Sequence, residues 1–254
     1  MTSSNGQAEH YDRILADYEK HYYDAEAMKY RRRYIYPALF QGCALNGKIV
    51  YELACGSGFN TLELLHLFPS ADISGLDISP LSCDAYEKKT GRKALTIDLT
   101  NANALLPKAA DAAFVVGGLH HCVNDLNSTM LNLGRLVRPG GRLLMVEPNA
   151  AFFLNRLRTF WYKRDHWFHE QEEAPLVHDN LAAVARQYFT PERVTYLGGP
   201  AYFLILNSLI LRLPLAAKKF VAPVASFLDD MYNRLPGSAP FPMFIAQWRR
   251  NNGD

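Results

Sequence analysis

Glycines at 56 and 58, acids at 52, 77 and 98, and paired histidines at 120 and 121 are the residues with the most chemistry to offer. The two glycines let the backbone bend sharply and approach a ligand with no Cβ in the way. A carboxylate such as Asp77 accepts two hydrogen bonds from a ribose diol, and Asp98 can accept from an adenine amine, with Ile78 and Leu99 beside the base. Glu52 adds fixed negative charge, which suits a ligand carrying hydroxyls and an ammonium. A histidine titrates near neutral pH and can take a proton from an acceptor. Singly, Asp77 or Asp98 is more often a helix cap or turn residue, and the glycines can form a plain turn with no ligand. Together, in this order, they favour a nucleoside pocket.

The elements that must position these residues alternate. Lys48–Leu53 reads as a first strand, followed by the glycine turn and a helix near Thr61–Leu67. A helix N-terminus after a buried strand presents free N–H groups to a ligand. Ala71–Leu76 is the second strand, ending at Asp77, with a helix near Pro80–Lys89. Lys93–Ile97 ends at Asp98, and Asp111–Val116 ends in Gly117-Gly118-Leu119-His120-His121. A helix over Ser128–Val137 and a turn at Arg138-Pro-Gly-Gly141 lead to a fifth strand, Arg142–Val146. Strands separated by helices imply a parallel sheet covered on both faces, with every strand's carboxyl end on one edge. Glu52, Asp77, Asp98 and His120 should therefore converge. A nicotinamide-dinucleotide fold shares the glycine turn, but its fingerprint wants a third glycine where Thr61 stands.

The chain has 254 residues, 49% apolar, enough for one large α/β domain with a cap or two small domains. Its 27 basic and 25 acidic side chains leave a net charge of +2, which argues against nucleic acid as a partner. Cys43, Cys55, Cys83 and Cys122 show no metal spacing; scattered thiols suit a reducing cytoplasm. No apolar signal core opens the chain and no run is long enough to span a bilayer, so a cytoplasmic protein is expected.

The central stretch resembles the class I S-adenosylmethionine-dependent methyltransferases, of the small-molecule type with a ubiquinone/menaquinone-methyltransferase-like core. Glu52-Leu-Ala-Cys-Gly-Ser-Gly58 is similar to the family's acidic, glycine-rich first motif, and Leu76-Asp-Ile-Ser79 to its ribose motif. Ile97-Asp98-Leu99 resembles the adenine-side motif, Leu119-His-His-Cys122 the segment beside the methionine moiety, and Leu136–Leu143 the turn into the fifth strand. Ala54 departs from the pattern, which commonly has glycine there. The resemblance implies S-adenosyl-L-methionine as cofactor. It implies Gly56 and Gly58 behind the methionine portion, Glu52 near its amino-acid end, Asp77 on the ribose, Asp98 on the adenine amine and Gly117 on the amino group. It also implies an N-terminal lid from which Tyr22, Tyr23 or Arg33 touches the carboxylate.

The expected architecture is α/β: a doubly wound, mostly parallel seven-stranded Rossmann-like sheet. Residues 1–40 form a helical lid, 41–150 the cofactor-binding core, 151–241 an aromatic and apolar cap holding the sixth strand near 193–197, and 242–254 the final strand and tail. Aromatics from Phe152 to Phe168, interleaved with Arg156, Arg158, Lys163 and Arg164, suit an amphiphilic or aromatic small-molecule acceptor. The apolar stretch 199–220 reads as a cap over a lipophilic acceptor, a core helix, a homodimer face or a peripheral membrane contact. The leading function is methyl transfer to oxygen or nitrogen of a small, partly hydrophobic metabolite, with His120 or His121 either assisting as a base or packing beneath the cofactor. Carbon methylation of a quinone-like or prenyl acceptor, a nicotinamide-dependent oxidoreductase and a non-catalytic nucleoside-binding module stay open.

Overall fold

A computed structural model describes residues 19–155, 175–211 and 213–252. Its frame is a seven-stranded sheet in the order β3-β2-β1-β4-β5-β7-β6. The strands are β1 (Ile49–Leu53), β2 (Asp72–Asp77), β3 (Ala94–Thr96), β4 (Ala110–Val116), β5 (Val137–Pro148), β6 (Phe189–Leu197) and β7 (Met243–Arg250). The first five pair in parallel, and β7 runs antiparallel between β5 and β6. β1 lies between β2 and β4, so the order reverses there, and ligand clefts form at such a switch point.

The helices follow local signals. α1 (Ala25–Tyr30) is capped by Asp24, whose Oδ1 accepts from the amides of Glu26 and Ala27. It runs through a π-helical stretch, Arg31–Ile35, into α2 (Tyr36–Leu39). α3 (Phe59–Leu67) starts directly after Gly58. α4 (Pro80–Thr90) has Ser79 as its cap, Pro80 in its first turn and left-handed Gly91 at its end. α5 (Leu126–Leu136) is capped by Asp125. α6 (His178–Ala185) precedes β6, and α7 (Ser208–Leu211) and α8 (Leu215–Tyr232) lie between β6 and β7.

Strand alternation divides the core into two layers. Phe114, Leu144, Met243 and Ile245 face one side, where they meet Tyr36, Leu39, Tyr202, Ile205 and Ala222. Ala113, Leu143, Phe244 and Trp248 face the other, against Leu133, Leu136 and Leu181. The N-terminal helices and α8 thus share a layer. Tyr30 OH donates to Asp229 Oδ2 at 3.0 Å, and Lys218 reaches Asp24 and the His21 carbonyl.

Two expectations change. Arg138-Pro-Gly-Gly141 is not a turn ahead of the fifth strand but an irregularity inside it: Val137 already pairs with Ala110, and the ladder resumes at Arg142 opposite Ala112. The apolar run after residue 199 is core for its first half, because Ala201, Tyr202, Ile205 and Leu206 are buried in the layer shared with α1 and α2. Phe203 and Leu204 in the same part are partly buried against that layer. The aromatic and basic residues 156–174, with His166 and His169, lie outside the described residues. Among the described residues, no helix is long and apolar enough to cross a membrane.

Candidate functional site

A cleft opens at the carboxyl ends of β1, β2 and β4. Its floor is the bend 54–58. Gly56 and Gly58 have φ of +50° and +85°, and Ala54, at +48°, is alone among the described non-glycine residues in having positive φ. A Cβ on Gly58 would stand 2.4 Å from Thr90 Cγ2 and 2.8 Å from Tyr86 Cδ2, so only glycine fits. A Cβ on Gly118 would meet the Ala54 methyl at 2.7 Å. The methyl group that departs from the family pattern is therefore accommodated by the lack of one across the cleft.

Asp77 and Asp98 both line the cleft. Asp77 Oδ2 accepts from the Gly56 amide at 2.9 Å and Oδ1 from the Ser79 amide at 3.0 Å. The carboxylate is thus oriented by the glycine bend itself. Two oxygens offer about four acceptor positions, which leaves capacity for a diol. Asp98 Oδ1 accepts from the Thr100 amide at 2.9 Å and its hydroxyl at 2.6 Å, and Oδ2 takes no hydrogen bond from a described residue. Ile78, Ile97 and Leu99 supply apolar wall between them. Gly56, Gly58, Gly117 and His121 complete this set. At Gly56 a Cβ would meet nothing within 4 Å, so the bend borders open space. Two acids on one wall, an apolar slot and an open glycine bend fit a nucleoside with a polar tail.

Four expected site residues lie elsewhere. Glu52 is buried beneath the bend and does not reach the cleft wall. Its Oε1 accepts from Asn60 Nδ2 at 2.9 Å and its Oε2 from Thr61 Oγ1 at 2.5 Å. Tyr36 OH donates to Asn60 Oδ1 at 2.9 Å, and Thr61 Oγ1 lies 2.8 Å from Tyr86 OH. The acid thereby ties α2, α3 and α4 together under the bend. Burial pushes its carboxyl up to about 7, against the opposing pull of the Thr61 and Asn60 hydrogen bonds. Arg33 points to the surface and pairs with Asp230 on α8 at 2.5 Å. Tyr22 stands outside the described cleft wall, whereas Tyr23 and Glu19 are in it. Tyr23 stacks on Phe59 with centroids 4.4 Å apart, Arg31 lies over Tyr23 and Lys89 over Phe59. Lys89 Nζ also donates to Ser57 Oγ at 2.5 Å, which fastens α4 to the bend.

His120 is likewise held back from the wall. Its Nδ1 lies 2.8 Å from Glu147 Oε2, and its ring packs 3.9 Å from that of His121, which does line the cleft. Glu147, at the end of β5, is buried and also accepts from the amides of Gly118, Leu119 and His120. The sequence reading assigned it no role. The signal was available: an acid at a strand's carboxyl end, as at 52 and 77.

Residues 51–143 match a family model described as a methyltransferase domain. A demethylmenaquinone methyltransferase of Deinococcus radiodurans is 29% identical over 114 residues, covering 43% of this chain and 47% of that protein. A malonyl-[acyl-carrier protein] O-methyltransferase of Legionella pneumophila is 24% identical over 183 residues, covering 70% and 64%. The matches thus span about half to two-thirds of those curated relatives' length. The N-methyltransferase NodS of Bradyrhizobium japonicum, solved with S-adenosyl-L-homocysteine, superposes with a TM-score of 0.56 at 12% identity, covering 90% of this chain and 89% of that one. At that identity the likeness concerns the fold.

Proposed function

We propose that this chain, whose core is a class I S-adenosylmethionine-dependent methyltransferase domain, transfers a methyl group to an oxygen or nitrogen of a small, partly hydrophobic acceptor. The observation that carries the reading is the pair Asp77 and Asp98 on the wall of one cleft, at or just after the ends of neighbouring strands beside the glycine bend. The donor supplies an electrophilic methyl on a sulfonium, so the protein has mainly to align the acceptor and exclude water. Asp77 holds the ribose hydroxyls, Asp98 the adenine amine, and the open side of Gly56 the methionine portion. Tyr23, stacked on Phe59, walls the cleft on the side of the N-terminal helices. His121 is the histidine placed to meet an acceptor, and His120 stands behind it, oriented by Glu147.

A second reading is methyl transfer to carbon of a quinone-like acceptor, supported by the Deinococcus relative's name. The names of the relatives and of the solved structure give demethylmenaquinone, O-methylation of malonyl-[acyl-carrier protein] and N-methylation. Methyl-tritiated S-adenosylmethionine offered with a quinol, a free carboxylic acid and an amine panel tests the acceptor atom. Label in an O- or N-methylated product supports the first reading, and label in a quinol ring supports the second. Binding of NADH with no binding of S-adenosylhomocysteine contradicts both.

A further inference from the structure

α8 carries apolar side chains on its outer side as well as its inner one, and among the described residues only the inner side is buried. Lys218, Ala222, Ala225 and Asp229 face the core. On the other side Phe220 is 74% exposed, Val224 65%, Phe227 62%, Leu228 43% and Met231 56%. The spacing places all five on one stripe about 16 Å long. Scattered exposed apolar side chains need no explanation, but a continuous stripe with two phenylalanines asks for an occupant.

Charge and area narrow the occupant. Eight positions of α8 are exposed, and of these only Lys219 is charged. It lies 4.9 Å from the Phe220 ring centroid, at the stripe's N-terminal end. Arg234 is exposed just past the other end. The outward acid of the helix, Asp230, is held by Arg33 and by Tyr34 OH at 2.7 Å, so that among the described residues of the helix no unpaired acid stands beside the stripe. The stripe amounts to a few hundred Å², short of the roughly 800 Å² that each partner of a stable protein dimer usually buries. A narrow apolar face with aromatic side chains and a basic residue at each end is the pattern of a helix lying in a lipid headgroup region.

We infer that the Phe220–Met231 face of α8 is a peripheral contact with an anionic bilayer surface. It replaces the membrane contact expected at 199–220, whose first half is buried core. The inference is independent of methyl transfer, because its readout is binding to lipid.

Co-sedimentation of the full chain with phosphatidylglycerol-containing vesicles tests it. The wild type should pellet, and weaker pelleting is expected at high salt and with Lys219→Glu. The double variant Phe220→Ser, Phe227→Ser should bind about tenfold or more weakly. Both side chains are exposed, so its melting temperature and its affinity for S-adenosylhomocysteine should stay at wild-type values, which separates loss of the lipid contact from loss of fold. Absence of pelleting overturns the inference, as does pelleting that the double variant leaves unchanged. A homodimer in sedimentation velocity that the double variant splits, with no vesicle binding, assigns the stripe to a second copy instead and also overturns it.

Discussion

Glu52 and Glu147 stand at strand ends as Asp77 does, and Asp98 follows close after one, yet the four acids divide into two kinds. Glu52 and Glu147 are each 1% exposed, and donors of the protein itself surround them: Asn60 and Thr61 for one, three backbone amides and His120 for the other. Asp77 and Asp98 accept from backbone and side-chain groups of their own loops and both line the cleft. The difference lies in what the neighbouring segment supplies. The first turn of α3 offers a side-chain donor pair, Asn60-Thr61, directly over Glu52, so that acid becomes structural. Asp77 instead lies in the cleft wall, oriented by the backbone amides of Gly56 and Ser79. Position at a strand end brings an acid to the site, but its neighbours decide whether it faces ligand.

Removing a structural acid should cost stability first. Glu147→Ala leaves the amides of Gly118, Leu119 and His120 without their acceptor. A loss of about 3–4 kcal/mol is expected in urea denaturation, and a loss below about 1 kcal/mol would break the distinction.

Glu52 gives a pH signature of similar size. Its folded pKa of about 7 lies above the unfolded value, so the native state holds the extra proton between about pH 4.5 and 7. Stability should therefore fall as pH rises through that window, by roughly 3 kcal/mol at most, and level off above it. Glu52→Gln should flatten that part of the profile. An unchanged profile would mean that the acid is not buried in neutral form.

For the cleft acids the effect is on binding. Asp98→Ala should weaken S-adenosylhomocysteine about tenfold, through one lost acceptor, with little change in melting temperature. Smallest is Ala54→Gly. Relief of a left-handed alanine at φ +48° should stabilise the chain by up to about 1 kcal/mol. A destabilised variant would show that the Ala54 methyl contributes packing that outweighs its strain.

The sheet and the cofactor bend were legible because they rest on local signals: apolar runs, Gly56 and Gly58, and acids at or just after strand ends. What escaped depends on contacts between distant segments. Nothing near residue 52 in a linear reading says that Asn60 and Thr61 will close over it. The resemblance leaves Tyr22, Tyr23 or Arg33 open for the lid contact; Arg33, in the π-helical stretch Arg31–Ile35, pairs with Asp230 at the surface. Arg31 is buried and Arg33 exposed, two residues apart on opposite sides of the helix. Tyr22 and Tyr23 are adjacent and alike in type, and only the stack on Phe59 selects Tyr23. The run from Ala201 reads as surface or core equally well until β7 and α1 are seen to cover it.

Titration calorimetry with S-adenosylhomocysteine, on wild type, Asp77→Ala and Glu52→Gln under one set of conditions, separates the two kinds of acid. Asp77→Ala should bind about 100-fold more weakly, having lost both the ligand's acceptor and the anchor of the Gly56 amide, while Glu52→Gln stays within about threefold. Wild-type affinity in Asp77→Ala, or a collapse of binding confined to Glu52→Gln, would contradict the account.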